Sequence, residues 1–295
     1  MICWLCPKPD APSGGCWFIH RLAHMLNDLG VASFVHQVEP FDVWWDAHPV
    51  PSQAIASEPP RSSDTVIVPE VMWPLPAVYA RQILFIQNRQ WLVKELDYQD
   101  SEVLVCSRYL ANWVERTYRV KPLGKITPFL DDDVWNPTPK QSNRTLVIAR
   151  RNPYHAQMRD LLEASGFPVE YVTEALTQRQ MAAKLADCEF YIHLNHPEGF
   201  PMACLEAMRM GTIVVGTTGQ GGNEFMFHRE TALVVQDPET GRYPVQEYLS
   251  AILEQMVLLR GDADLRSKMW QQAYAWSQRY TAEATRAELS AVFPP

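Results

Sequence analysis

The chain has 295 residues, of which 47% are apolar and 20% charged, with a formal net charge of −8. That length suits one large or two medium domains, and the composition is that of an ordinary globular protein. The acidic balance argues against a general nucleic-acid binder and against electrostatic docking on anionic lipid.

At the N-terminus, MICWLCPKPD has a short apolar run cut off at Pro7 with no basic segment ahead of it, so no secretory signal is read there. No stretch approaches the ~20 apolar residues of a membrane span; VIVPEVMWPLPAV is broken by Glu70 and three prolines. A cytoplasmic chain is expected, with the inner face of the membrane as an alternative placement, because some of the ten tryptophans could be exposed for peripheral membrane contact. Cys3, Cys6, Cys16, Cys106, Cys188 and Cys204 are scattered, most of them in apolar runs. They read as reduced, buried small hydrophobes; Cys3 and Cys6 have no second pair with which to hold zinc.

Taken in order, MICWLC is a first strand, KPDAPSGG a loop, and CWFIHRLAHMLNDLG a helix ending at Gly30. VASFVHQV, DTVIVP, ILFIQ and VLVCS are further strands, the last leading into the helix RYLANWVERTY. Residues 40–62 are proline-rich and aperiodic, which predicts a long surface excursion. NPTPKQSNR, residues 136–144, reads as a linker, after which strand and helix alternate again: TLVIA, HAQMRDLLEASG, VEYV, LTQRQMAAKLADC, FYIHL, the helix after HPEGF, TIVVG and TALVV. Amphipathic closing helices follow. Short apolar strands alternating with helices imply parallel α/β sheets, here in two halves.

Ligands of open parallel sheets bind outside the carboxyl ends of the strands. Four loops there carry suitable residues. In PSGGC, Gly14 and Gly15 allow close approach to the backbone before a helix N-terminus, though a plain turn fits equally, and no GxGxxG supports a nicotinamide cofactor. In IARRN, Arg150 and Arg151 present guanidinium forks suited to pyrophosphate, or form a solvated pair. In HPEGFPMACLEAMRMG, Glu198 falls in the loop and Pro201 can open a helix reaching about Met210, with Gly211 placed to end it. Glu206 then lies on the second turn, so a helix N-terminus that attracts phosphate sits between two carboxylates. A sugar joined through a diphosphate to ribose is one ligand with that pattern; a dipole glutamate followed by an unrelated helix glutamate also fits the spacing. The fourth loop, TTGQGGNE, could add backbone N–H groups to the same ligand.

EGFPMACLEAMRMGTIVVG, followed by GGNEFM and TALVV, resembles the donor-site signature of the retaining family-4 glycosyltransferases of GT-B fold. PSGG, VLVCSRYLANWVERTY, ITPFLDDDVWNP and AWSQRYTAEATRAEL resemble further segments of that family in the same order, leaving about residues 36–80 without a counterpart. The resemblance implies an α/β GT-B fold, two Rossmann-like parallel-sheet domains facing a central cleft. Residues 1–138 would form the acceptor-side domain and 139–295 the nucleotide-sugar-binding domain, with a closing helix at about 276–293 packing back on the first. Asp131, Asp132 and Asp133 would enter the linker rather than bind a metal.

The resemblance further implies that Glu206 holds the ribose hydroxyls of a nucleotide sugar and Glu198 the transferred sugar, with backbone N–H groups of Gly199, Phe200 and Met202 near sugar and phosphate. Pro201 completes that loop. Arg150, grouped with Glu198 as catalytic, would clamp the phosphates with Arg151, and Gly14 and Gly15 would meet the diphosphate. Where the family usually places a lysine this chain has His155, Ala156 and Gln157; where many members place a histidine it has Gln87 and Asn88, whose amides can bind sugar hydroxyls. His196 joins them as an acceptor-side candidate. The expected activity is metal-independent, cofactor-free retaining transfer of a hexosyl or deoxyhexosyl group from a nucleotide-sugar donor. The acceptor would be a glycan, lipid-linked glycan or small molecule, in cell-surface polysaccharide or glycoconjugate synthesis. The alternative is a GT-B-shaped nucleotide-sugar-binding protein with little or no transfer activity. His20 and His24 read as helix-face histidines, and no metal site is expected.

Overall fold

The structure is a computed structural model that describes residues 1–10, 13–45, 55–56, 58–76, 78–93, 98, 100–137, 142–149, 154–236 and 245–295. The chain divides into two compact units, Met1–Phe129 with Thr281–Pro295, and Leu130–Tyr280.

The first unit is built on a seven-stranded parallel sheet: β1 (Ile2–Cys6), β2 (Ser33–Gln37), β3 (Ile55–Ala56), β4 (Thr65–Pro69), β5 (Arg81–Ile86), β6 (Glu102–Val105) and β7 (Gly124–Lys125), in the order β3-β2-β1-β4-β5-β6-β7. Every residue of β1 is buried, as a central parallel strand covered on both faces requires. The order reverses between β1 and β4, so the loops leaving those strands flank the crevice where doubly wound sheets bind ligands. Helix α1 (Gly14–Asp28) packs on β1 and β2, and α2 (Arg108–Tyr118) opens with the Ser107 hydroxyl accepting from the Leu110 N–H.

The second unit has a five-stranded parallel sheet: β8 (Arg144–Ile148), β9 (Val169–Val172), β10 (Cys188–His193), β11 (Ile213–Gly216) and β12 (Ala232–Val234), in the order β12-β11-β10-β8-β9. Its reversal lies between β8 and β10. Around it stand α3 (His155–Ala164), α4 (Gln178–Asp187), α5 (Met202–Arg209), α6 (Val245–Arg260) and α7 (Ala263–Ser277). Thr177 and Gln180 form a reciprocal capping box at α4. Phe190, Ile192, Val215, Ile252 and Met256 anchor the core between the sheet and α6.

Two expectations change in detail. The closing helix does not run from about 276: α7 stops at Ser277, and α8 (Ala282–Val292) starts after a break, with the Thr281 hydroxyl accepting from the Ala284 N–H. Helix α8 packs within the first unit, where Glu288 takes the Thr127 N–H at 2.6 Å and pairs with Lys125, and Phe293 meets Trp4 edge-on. The stretch expected as a surface excursion is not wholly on the surface. Trp45 is 3% exposed and packs on the His20 ring at 4.9 Å, and Ile55–Ala56 extend the sheet edge beside β2. Residues 46–54 and 57 lie outside the described residues.

Candidate active site

In the second unit, the loops leaving β10 and β11 are stitched together around Glu198. Its N–H donates to the Gly219 carbonyl at 2.7 Å, and its own carbonyl accepts from the Gly221 N–H at 3.0 Å. The sequence allows this because the glycines have no side chains. A Cβ on Gly219 would lie 2.8 Å from the Glu198 Cβ, and one on Gly221 would lie 2.2 Å from the Gly199 carbonyl oxygen. Gly219 also sits at φ +59°, where an L side chain is strained. At the base of the pair, Thr217 N–H donates to the His193 carbonyl at 3.0 Å, where a Cβ on Gly216 would collide.

The TTGQGG loop therefore differs from its expected role. The N–H groups of Thr217, Gly219, Gln220, Gly221 and Gly222 all have partners within these two loops: His193 O, Thr217 Oγ1, Thr218 Oγ1, Glu198 O and Thr218 O. These amides build the support for Glu198 rather than a cradle for phosphate. Similarly, the Met202 N–H donates to the Phe200 carbonyl at 2.9 Å, so that one of the three amides expected near the ligand is engaged inside the loop.

Helix α5 begins at Met202, with Pro201 as its N-cap rather than its first helical residue, and turns out through Gly211 at φ +72°. Cys204, Leu205, Ala207 and Met208 are buried, while Glu206 is half-buried on the accessible side. Cys204 lies on α5 two residues before Glu206 and is fully buried. Its thiol is pushed well above the ordinary range, first by complete burial and then by the charges of Glu198 and Glu206. The loop glutamate and the helix glutamate thus act on one buried atom. Phe200 closes the start of the helix by packing on Phe225 at 5.4 Å and Tyr280 at 5.6 Å.

Arg209, which sequence reading missed, fastens the far end of α5. Its guanidinium is buried, donates to Ser277 Oγ at 3.1 Å and to the Ser277 carbonyl at 2.7 Å, and pairs with Asp132. Asp132 thus pairs with an arginine of α5. A basic residue in the last turn of a short helix was the only signal available.

Other site candidates are placed as follows. His155 opens α3 and is 3% exposed, so it does not present a surface cation. His196 is half-buried in the loop before Glu198, and His193 is buried beside Tyr191. Arg150 and Arg151 lie outside the described residues.

In the first unit, Gly14 and Gly15 begin α1 behind Ser13. The space beside Gly15 belongs to Gln87: a Cβ there would lie 2.8 Å from the Gln87 amide oxygen. Gln87 and Asn88 follow β5, and their backbone N–H groups donate to the two carboxylate oxygens of Glu70 at 3.0 and 2.8 Å. Glu70 is 4% exposed, and burial pushes its carboxyl up to about 7 against the pull of those N–H groups and its own. Sequence reading passed over Glu70 except as a break in an apolar run, although it directly follows the last residue of β4. His20 is a core histidine: burial lowers its pKa, its Nδ1 donates to the Cys16 carbonyl at 2.8 Å, and Nε2 faces the Gln37 amide at 3.3 Å. All six cysteines are buried, and none forms a disulfide among the described residues. Among the described residues no group of three or more His, Cys, Asp or Glu could hold a metal ion, and no helix is long and apolar enough to cross a membrane.

Two doubly wound parallel-sheet units, the second with paired carboxylates at its switch point, define the class: a glycosyltransferase of GT-B fold. Residues 132–251, within the second unit, match the family described as glycosyl transferases group 1. The fold is shared across full lengths with WaaG, a glycosyltransferase involved in lipopolysaccharide biosynthesis (12% identity, 100% of each chain, TM-score 0.68). Sucrose-phosphate synthase from Thermosynechococcus elongatus shares it too (12% identity, 99% of this chain and 98% of that one, TM-score 0.67). S. aureus TarM, solved as a mutant in complex with fondaparinux, α-GlcNAc-glycerol and UDP, is similar over 80% of this chain and 56% of its own (13% identity, TM-score 0.59). No curated protein matches by sequence.

Proposed function

We propose that this glycosyltransferase moves a hexosyl or deoxyhexosyl group from a nucleotide sugar with retention at the anomeric carbon, without a metal or other cofactor. The acceptor is a glycan, a lipid-linked glycan or a small molecule, and the chain works in cell-surface polysaccharide or glycoconjugate synthesis in the cytoplasm or at the inner membrane face. The observation that carries this reading is the double backbone clamp on Glu198 in the loop before α5, the helix that carries Glu206. A clamp of that kind fixes the backbone that carries one glutamate in the loop, while the helix fixes the backbone that carries the other. Glu206 accepts the ribose hydroxyls, and Glu198 accepts a hydroxyl of the transferred sugar. Charge developing on the leaving diphosphate is met by the α5 N-terminus and by Arg150 and Arg151. The leaving phosphate itself takes the acceptor proton, so no separate base is required. Gln87, Asn88 and His196 contact the sugar or acceptor. UDP in the TarM structure supports the choice of donor class.

A second reading, a nucleotide-sugar-binding protein with little transfer activity, is favoured by one observation: the buried His155 stands near where a phosphate-clamping lysine would be expected. Calorimetry against a panel of nucleoside diphosphates and nucleotide sugars tests the first step. At least one should bind, and Glu206→Ala should weaken it; binding to none overturns both readings. Donor hydrolysis then separates them, because a binder gives no turnover, and an unchanged rate in Glu198→Ala would remove Glu198 from the chemistry.

A further inference from the structure

We propose that Glu70 is a positioning residue for the transfer reaction: its buried carboxylate holds the Gln87–Asn88 loop in the one arrangement that presents those amides to a sugar hydroxyl. What the loop contacts rests on the transferase reading above; what the carboxylate does rests on geometry alone.

The geometry starts with sheet order. Strands β1, β4 and β5 are neighbours, so Gly15, Glu70 and Gln87 leave adjacent strands at the same end of the sheet, on and next to its switch point. Glu70 Oε2 accepts from Gln87 N–H and Oε1 from Asn88 N–H, so one side chain fixes two consecutive peptide units. With its backbone fixed there, Gln87 lays its amide against Gly15, where a Cβ would make it shift. Asn88 is fixed in turn, its Oδ1 accepting the Gln90 N–H at 3.2 Å.

Stability alone does not account for such a residue. Glu70 is buried and has no ion pair among the described residues, and an isolated buried carboxylate is costly. At the end of β11, by contrast, the first N–H of the loop goes to main chain, from Thr217 to the His193 carbonyl. A fixed acceptor pair is useful where a loop must not move, since small misplacements of substrate-contacting groups reduce rate steeply. Gln cannot replace it: an amide offers one acceptor oxygen and turns its NH2 toward the second N–H.

The test compares the full chain with Glu70→Gln and Glu70→Asp. Residue-resolved hydrogen exchange at Gln87 and Asn88 is expected to rise tenfold or more in Glu70→Gln, with exchange in α1 and β6 within twofold of the parent. Hydrolysis of UDP-, GDP- and ADP-linked sugars is expected to lose tenfold or more in kcat while the Kd for the matching nucleoside diphosphate stays within twofold. Glu70→Asp keeps both oxygens on a shorter arm and is expected to recover part of each effect; it carries the test alone if Glu70→Gln does not fold. Unchanged exchange at Gln87 and Asn88 overturns the proposal, and so does raised exchange with unchanged kcat. If the parent turns over no nucleotide sugar, it is the transferase reading that fails. Raised local exchange then still upholds the anchoring, and unchanged exchange still overturns it.

Discussion

In the second unit the backbone of Glu198 is held by main chain, between the Gly219 carbonyl and the Gly221 N–H; in the first, the backbone N–H groups of Gln87 and Asn88 are held by one buried side chain, Glu70. Both devices sit at the carboxyl ends of parallel strands beside a switch point. They differ in where they are vulnerable. A backbone clamp has no titrating part, but it tolerates no side chain at the glycines that make it. A carboxylate clamp leaves its loop free to vary in sequence but ties the geometry to one ionisable group. The two sites should therefore fail under different perturbations, and that separation can be tested.

The largest effect is expected at Arg209, which fastens α5 and so the helix that carries Glu206. Arg209→Met removes two hydrogen bonds to Ser277 and the pairing with Asp132, and should cost about 3 kcal/mol in urea denaturation. A loss below about 1 kcal/mol would mean that the apolar face of α5 holds the helix unaided. Next comes Gly219→Ala. It combines a left-handed backbone with a Cβ pressed against Glu198, and a displacement of about 1 Å at such a group lowers rate by roughly 100-fold. Donor turnover should fall by about that factor while the fold survives. Turnover within fivefold of the parent would show that the clamp does not set the position of Glu198.

These two clamps were unequally legible from the amino-acid sequence, for a physical reason. The alternation of apolar strands with helices exposed both parallel sheets, because burial on both faces leaves a continuous apolar run at each strand. Glu198, Glu206 and the glycines around them lie within one short stretch and carry a local pattern. Glu70 lies 17 and 18 residues from the N–H groups it accepts, so only the pairing of β4 with β5 brings them together. Arg209 is 68 residues from Ser277 for the same reason. The amides of TTGQGG were misassigned to a ligand because glycine richness signals close approach without saying to what. Here the close approach is to the neighbouring loop.

Ligand binding should sharpen the contrast at intermediate magnitude. Glu206→Ala removes hydrogen bonding to a charged acceptor, about 1.5–3 kcal/mol for one bond, and should raise the Kd of the bound nucleotide by about 10- to 100-fold. Gln87→Ala should leave that Kd unchanged and act on turnover alone; an equal effect on nucleotide binding would assign Gln87 to the donor. Within the first unit, Gly15→Ala should be harmful alone and less so on a Gln87→Ala background, with a coupling of about 1 kcal/mol in turnover or stability. Strict additivity would mean that the Gln87 amide does not occupy the space beside Gly15.

The last effect is a slope rather than a single loss, that of stability against pH, and it belongs to the first unit only. Burial raises the Glu70 carboxyl from an ordinary 4.5 to about 7. Between those values the folded chain keeps a proton that the unfolded chain has released, so stability falls as pH rises through the window and levels off above about 7. One proton gives a slope of at most about 1.4 kcal/mol per pH unit. His20 works in the opposite sense: burial lowers its pKa, so it reduces stability as pH falls below its ordinary 6.5 and partly masks the Glu70 trend in the parent chain. Subtracting Glu70→Gln from the parent cancels His20, and the difference between pH 5 and 8 should slope downward with rising pH. A flat difference would mean that Glu70 is ionised throughout, with its three N–H donors outweighing its burial. In that case the carboxylate clamp would be as insensitive to pH as the backbone clamp around Glu198.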